Sequence, residues 1–510
     1  MIPRPTGNHT EPRVPGFVPA IVVSISLAAV IHALLLLKGF YSATLDESGR
    51  TLDAYNWVKG NTPLATVWLP FYKVIVGGAL TVVPDLVVAP RVVSFLFGIG
   101  ALGAIVWLAR VLFSNTTTTL LTGLIAAVLP QRVVLSIAPL AEIMFISVMT
   151  LAMGFLARWL LLGRQRDLWL SAGLIAVGSS VRYEGWIFAG VFALWLLLLS
   201  VRKTGNSAVN LVPAAGAILV SFSFVGFWVL LHLVENGRPF GFIADTTGRY
   251  VLIHGDSLSS LLLNNPLTQF VLQNAWTLNI LGVFSLAFAV RQRAIFTIAA
   301  LVPFAALLAV SLVALLGKGM PTHGFWRIPA LWSVLLIPFT ANGIASLLDA
   351  PHRLKKLRTI AGVAILACLL GLCMKGTLAM TGRSAFSRDD LAVGRFVQRE
   401  FSQSTRPHRV LIESDIWDYV NVMIASQHPE WFILNSGFDP TEHKDPLLAA
   451  EAPFDATKLQ QMDVALLVFR REDYTDYLNG RPGIRKLSAF GPWTVYALLP
   501  ENPTGPFDMK

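Results

Sequence analysis

The sequence predicts an α-helical polytopic membrane protein with about eleven transmembrane helices and a small C-terminal extracytoplasmic α/β domain. Three observations carry that expectation. Only 14% of the 510 residues are charged and 54% are hydrophobic, whereas a soluble domain carries about a quarter charged residues. Apolar stretches of about 20 residues, the length that crosses a bilayer, recur along the first three quarters of the chain. From about Ser384 to the C-terminus hydropathy falls and charge rises.

The spans are expected near residues 16–38, 90–112, 118–136, 139–162, 168–182, 185–201, 209–232, 270–290, 294–316, 326–347 and 357–380. The first apolar stretch lacks a small-residue cleavage site and is long enough to cross, so it reads as an uncleaved helix. Orientation follows from the basic loops. Arg4 and Arg13 precede the first span. Arg158, Arg164 and Arg166 follow the fourth, Arg202 and Lys203 the sixth, Arg291 and Arg293 the eighth. Arg353, Lys355, Lys356 and Arg358 follow the tenth. With eleven spans all of these fall on one side, the cytoplasm by the positive-inside rule. The N-terminus is then inside and the C-terminal domain outside.

The net charge of +10 is accounted for by these loops rather than by nucleic-acid binding. Cys368 and Cys373 share one apolar span and form neither a disulfide framework nor a metal site. Three segments face outward: a first loop over 39–89, a second over 233–269, and the tail. In the first loop, the stretch over 64–83 is apolar, but Pro63, Pro70, Lys73 and Pro84 make it interfacial helix rather than a span. The tail, 384–510, alternates strand patterns at 409–412, 431–434, 464–469 and 493–498 with helix patterns at 389–401 and 417–426. It carries no Gly-rich phosphate loop. The membrane module is thus 1–383.

The ionisable residues that accompany the spans gather at their outer ends: Asp46, Glu47, Glu142, Arg182, Glu184, Lys318, His323 and Arg327. A transporter would place such groups near the midplane. Chemistry on a lipid headgroup would place them here, and charge beside hydrocarbon is costly enough that its position is informative. Asp46 and Glu47 follow the first span closely and precede Tyr55 and Trp68, aromatic residues suited to an interfacial pocket wall. A carboxylate there can take a proton from a hydroxyl. A plain solvated turn would also carry two acids. Arg182, Lys318, His323 and Arg327 suit an anionic phosphate, Arg by bidentate contact. The plainer alternative is side chains snorkelling at span ends, with Glu142 and Glu184 as their structural partners.

Taken in order, these runs resemble the GT-C superfamily of polyprenyl-phosphate-sugar-dependent glycosyltransferases, which includes protein O-mannosyltransferases and lipid A aminoarabinose transferases. The D-E-S-G-R-T-L-D-A-Y run from Asp46 is similar to the acidic motif of the family's first outer loop, and A-T-V-W-L-P-F-Y-K from Ala65 to the segment after it. S-I-A-P-L-A-E ending at Glu142, V-R-Y-E-G-W from Val181 and H-G-F-W-R from His323 resemble later outer corners. The resemblance covers about residues 16–380. The first loop departs from the His-Pro-Pro element of O-mannosyltransferases, having Trp68-Leu69-Pro70, which leaves the acceptor open.

The resemblance implies an inverting transfer from a polyprenyl-phosphate-linked sugar donor to a hydroxyl of a lipid, glycan or protein acceptor. Asp46 would be the general base, and Glu47 would orient it or the sugar. Arg182, Arg327, Lys318 and His323 would hold the leaving phosphate. Glu142, Glu184, Tyr183, Tyr55 and Trp68 would support substrate. No cofactor is expected; if a divalent ion such as Mg or Mn were used, Asp46, Glu47 and Glu142 would supply its oxygen ligands. The compartment is a bacterial inner membrane with a periplasmic active site. A secondary transporter or lipid flippase, or a non-catalytic membrane assembly protein, are the alternative classes. The first requires midplane charges in paired halves, and the second tolerates replacement of Asp46.

Overall fold

The computed structural model describes residues 17–66, 68–201, 211–241, 258–272, 275–292, 294–316, 325–349, 355–402, 408–414, 417–435 and 456–499. The chain is a polytopic α-helical membrane protein with a C-terminal α/β domain. Its first part runs α1 (Phe17–Leu37), α2 (Asp46–Val58), α3 (Pro70–Val82), α4 (Val88–Phe113), α5 (Thr116–Val128), α6 (Pro130–Ile137), α7 (Ala141–Leu162), α8 (Gln165–Val181), α9 (Glu184–Val201) and α10 (Leu211–Asn236). Then come α11 (Leu258–Leu263), α12 (Pro266–Leu272), α13 (Trp276–Gln292), α14 (Ala294–Leu316), a 3-10 turn (Phe325–Arg327), α15 (Ala330–Leu348) and α16 (Lys355–Met380).

Each of the eleven predicted spans falls on one of these helices or on a bent pair. By length and apolar composition, six described helices can cross a membrane alone, and eight spans result if each bent pair counts as one. The remaining predicted spans, over 168–182, 185–201 and 294–316, fall on α8, α9 and α14. As expected, the apolar part of the first loop is a 13-residue helix, α3, opened by Pro70. Proline is tolerated at that first position because its missing N–H has no helical partner there.

The bent pair α5–α6 turns by 57° at Leu129. Pro130 is the cause: it has no N–H for the carbonyl of Ala126, four residues back, and its ring crowds that carbonyl. Arg132 repairs the break. Its Nε donates to Ala126 O at 2.5 Å and its Nη2 to Ala127 O at 2.8 Å, both buried. In hydrocarbon an unpaired carbonyl costs several kcal/mol, so this buried arginine has a structural reason to be there. Gly98 of α4 sits directly against Ser136 of α6, and Gly100 against Ser147 of α7, so both admit close helix packing; nothing crowds Gly103.

The tail holds α17 (Arg388–Ser402), β1 (Arg409–Glu413), α18 (Tyr419–Ala425), β2 (Phe432–Asn435), α19 (Ala456–Gln461), β3 (Val464–Phe469), α20 (Glu472–Leu478), β4 (Ile484–Phe490) and β5 (Trp493–Leu498). The sheet order is β2-β1-β3-β5-β4, with β1 parallel to β2 and β3, and β5 antiparallel to β3 and β4. The four predicted strands are present. β4 escapes the sequence reading because its residues are half-buried or exposed and leave no apolar run. One sheet face packs on Leu411, Leu467 and Tyr496, the other on Val410, Val468 and Val495.

The tail docks on α2. Ser48 Oγ donates to Asn421 Oδ1 at 2.6 Å. Asn421 Nδ2 in turn donates to Ala385 O at 2.8 Å and Asp390 Oδ2 at 3.0 Å, and Trp493 Nε1 donates to Asp390 Oδ1 at 2.8 Å. A buried hydrogen-bond chain therefore runs from the helix that begins with Asp46 to the last strand of the sheet.

Candidate functional site

Four acids from the sequence reading sit in the first turns of three helices: Asp46 and Glu47 in α2, Glu142 in α7, Glu184 in α9. The unpaired N–H groups and the macrodipole of a helix start favour negative charge. All three helix starts lie at one end of the bundle, and the arginines join them there. Arg327, from the 3-10 turn, donates from Nη2 to Asp46 Oδ2 at 2.6 Å and places Nη1 3.6 Å from Glu142 Oε1. Arg182 bonds Glu142 through Nη1 and grips Glu184 through Nε at 3.1 Å and Nη2 at 2.5 Å. Glu142 is thus clamped between two guanidiniums, and Arg327 links it to Asp46.

The R-Y-E-G-W corner is built for this. Arg182 is in extended conformation at the end of α8. At Gly185 a Cβ would lie 2.7 Å from backbone atoms of Gly178 and Ser179, so only glycine lets α9 start this close to α8. Trp186 Nε1 then ties to Ser179 O at 2.9 Å. The tight corner folds Glu184 back onto Arg182. Tyr183 packs edge-on against Trp186, 5.2 Å between ring centres, beside an aromatic wall that includes Trp228.

Glu47 has a different environment from Asp46. Its carboxylate accepts from Ala43 N and Thr44 N at 2.9 Å and from Thr44 Oγ1 at 2.5 Å, while Asp46 N donates to Thr44 Oγ1 at 3.3 Å. Glu47 thus makes the carboxylate half of a capping-box pattern, Thr44-x-x-Glu47, just ahead of α2, while Thr44 Oγ1 takes the N–H of Asp46 rather than that of Glu47. Burial pushes the Glu47 carboxyl above its ordinary range, against the pull of Arg327 and the Thr44 hydrogen bonds. The T-L-D-E string was the sequence signal for this role. Asp46 keeps 26% of its side chain exposed, and its Oδ1 has no hydrogen-bond partner among the described residues.

Arg50 is the residue that sequence reasoning missed. It lies one helical turn after Asp46, hence on the same face of α2. Its guanidinium stands 5.2 Å over the Trp68 ring, and its Nε is buried without a hydrogen-bond partner. Glu142 Oε2 is likewise buried and unpartnered. Leaving such atoms unbonded costs about 1–3 kcal/mol each, so they are the natural contact points for a ligand: a donor for an anion and an acceptor for a hydroxyl. Lys73, at 2% exposure, is held by Asp53 at 3.0 Å and by Pro63 O and Thr66 Oγ1 at 3.2 Å, which pins α3 to α2. Tyr72 Oη donates to Pro139 O at 2.8 Å and ties α3 to the corner before Glu142.

Tyr55 does not join this cluster. Nine residues after Asp46 is about two and a half turns, the opposite face of α2, and its hydroxyl bonds Glu430 Oε2 of the tail at 2.9 Å. Lys318 and His323 lie outside the described residues. The acids named for a divalent ion are not disposed as a ligand set: Asp46 and Glu142 hold Arg327, and Glu47 accepts from the backbone of Thr44. Among the described residues no group of three or more His, Cys, Asp or Glu side chains is placed to bind a metal.

No family model and no curated protein matches the sequence. Among solved structures, ArnT from Cupriavidus metallidurans bound to undecaprenyl phosphate matches at 14% identity with a TM-score of 0.59, over 96% of this chain and 99% of that one. The same protein in its apo state matches at 13% identity and a TM-score of 0.57, over 94% and 98%. The oligosaccharyltransferase AglB from Archaeoglobus fulgidus matches more loosely, at 13% identity and a TM-score of 0.48, over 89% and 69%. The chain therefore shares the fold of ArnT over nearly its whole length.

Proposed function

We propose that this protein transfers a sugar from a polyprenyl-phosphate donor to an acceptor hydroxyl at the extracytoplasmic face of a membrane, with inversion. The observation that carries the reading is the Asp46–Arg327–Glu142–Arg182 network. It holds a partly exposed carboxylate, the buried guanidinium of Arg327 and the largely covered one of Arg182 at one end of a helical bundle. The likeness in fold to ArnT, which was solved with undecaprenyl phosphate, supports the class of donor lipid. The positive-inside pattern supports the side, and a bacterial inner membrane is the compartment that fits a periplasmic site.

In this reading Asp46 Oδ1 takes the proton of the acceptor hydroxyl. The acceptor oxygen forms a bond to the anomeric carbon from one face as the bond from that carbon to the phosphate oxygen breaks on the other. Polyprenyl phosphate leaves with the electron pair and an added negative charge. Arg182, Arg327 and Arg50 are fixed before reaction and stabilise that charge; preorganised donors of this kind lose little to reorganisation. Lys318 and His323 lie close in sequence to Arg327 and belong to the same proposed group. Arg327 also keeps Asp46 aligned until a phosphate competes for its guanidinium. Glu142 and Glu184 set the two arginines, with Glu142 Oε2 left to accept from a sugar hydroxyl.

The test is a transfer assay on purified protein in lipid with radiolabelled decaprenyl- or undecaprenyl-phosphate sugars, beside Asp46→Asn. Label transfer or donor hydrolysis that the variant loses is expected. Absence of donor binding and turnover with every such lipid would overturn the reading.

A further inference from the structure

On the face of α2 away from Asp46, a cleft of about 570 Å³ opens between α2, the turn after α3 and the C-terminal domain. Its walls include Tyr55, Lys59, Gln398, Gln427, His428 and Glu430. That volume is in the range of small-molecule sites. The site is preorganised. His428 lies flat on Trp431, 3.9 Å between ring centres at 11°, and its Nδ1 is 3.0 Å from Glu430 Oε1. The other oxygen of Glu430 accepts from Tyr55. Gln427 adopts a left-handed backbone, φ 66°. That costs a non-glycine residue about 1 kcal/mol or more, and it directs the amide onto Leu86 N at 2.7 Å. His428 and Glu430 nevertheless remain 40% and 49% exposed toward the cleft and solvent.

The chemistry of the walls selects a ligand class. One cation, Lys59, faces two carboxylates, Asp85 and Glu430, so the cleft does not attract a phosphate or another anion. Val58, Leu80, Pro84 and Leu86 give the cleft an apolar side beside these polar groups, so it presents both kinds of surface. Lys59 and the Gln398 amide donate, while Asp85, Glu430, the Gln398 carbonyl and the Tyr55 hydroxyl oxygen accept, which suits a ligand dense in hydroxyls. The Tyr55 ring and the His428 ring, backed by Trp431, line the cleft with flat surfaces for C–H groups. We infer that this cleft binds carbohydrate, and that the acceptor is a glycan whose chain is held here while its terminal hydroxyl reaches Asp46. Asp46 and Tyr55 are about 13 Å apart along the axis of α2 and on its opposite faces, so the glycan must be long enough to pass around the helix, an oligosaccharide rather than a single sugar. The inference rests on the glycosyltransferase reading for the word acceptor, and on the cleft alone for the binding of sugar.

The experiment uses the full chain in lipid nanodiscs. Binding of neutral hexose and pentose oligosaccharides of two to six units is read by saturation-transfer NMR, with a Ser/Thr-rich peptide of similar length as the rival probe. Donor-lipid binding is read separately as an undecaprenyl-phosphate-dependent rise in unfolding temperature. Oligosaccharide binding that His428→Ala and the milder surface change Gln398→Ala each weaken by about tenfold or more, and that Asp46→Asn leaves in place, supports the inference. No oligosaccharide binding, binding unchanged in both variants, or binding of the peptide instead overturns it. Sugar binding by a protein that fails to bind donor lipid would sink the transferase reading and still support a carbohydrate cleft.

Discussion

Arg327 Nη2 meets Asp46 Oδ2 at 2.6 Å across 281 positions of sequence, with the arginine 1% exposed and the aspartate 26%. The buried partner holds the accessible one. This asymmetry separates their roles, since a base must reach solvent-borne substrate and a phosphate clamp gains from a water-poor setting. Asp46→Asn should retain the fold and donor binding and lose about 10²–10⁴-fold in turnover. Arg327→Ala should leave the buried Glu142 with Arg182 as its one guanidinium and cost about 1–3 kcal/mol of stability. Turnover and unfolding temperature, measured on both variants, check the division; equal loss of stability in the two would refute it.

Arg50 makes a sharper test of the proposed phosphate site, because its Nε has no hydrogen-bond partner among the described residues. Arg50→Lys keeps the charge and loses the planar fork. Donor affinity should fall about tenfold, with unfolding temperature in the absence of donor nearly unchanged. Titration of undecaprenyl phosphate against wild type and variant gives the answer, and unchanged affinity would remove Arg50 from the site.

Glu47 should behave as a cap. Glu47→Ala is expected to cost about 1 kcal/mol through the lost capping bonds and to lower activity by loosening the turn that bears Asp46. Thr44→Ala should act in the same direction, and the double variant should lose less than the sum, since both break one motif. Full additivity in unfolding measurements would separate the two residues.

Pro130 and Arg132 are coupled by one carbonyl. Arg132→Leu leaves Ala126 O without a donor in the membrane and should destabilise by several kcal/mol. Pro130→Ala restores a backbone N–H four residues after Ala126 and should recover part of that loss. A double-mutant cycle on detergent-solubilised protein reads the coupling, and a coupling near zero would mean that Arg132 has another role.

Docking of the tail on α2 should weaken in acid. Burial alone would raise the Glu430 carboxyl, but the hydrogen bonds from His428 and Tyr55 outweigh it and hold it below its ordinary value of 4.5. For a lowered carboxyl the stabilisation is present above the unfolded-state value and is lost as pH falls through the lower folded-state value. The protection of amides over 426–431, corrected for the intrinsic exchange rate at each pH, should therefore fall below about pH 4.5. Glu430→Gln should remove the transition.

Much of the site is legible in the chain. Asp46, Glu142, Arg182, Glu184 and Arg327 are all identified by their place at one end of successive apolar segments, and they do converge. Arg50 is passed over because the loop reads as irregular: α2 is polar and mixed in charge, so its helical period carries no hydrophobic stripe. Once the helix exists, the spacing of four from Asp46 places Arg50 beside it, and the spacing of nine carries Tyr55 to the opposite face. In the tail, α18 and the strands β1, β2, β3 and β5 show by their apolar runs, whereas β4 is visible only through its pairing with β5.

The sequence by itself determined which segments enter the membrane and at which end the ionisable groups collect, because hydrocarbon penalises each charge and each unpaired peptide group locally, segment by segment. Only the tertiary structure decided that Arg327 belongs to Asp46, that Glu142 lies between two arginines, and that Tyr55 faces the tail. Those pairings depend on how helix starts far apart in the chain are brought together by packing. That information is distributed over many contacts and is carried by no single stretch of sequence.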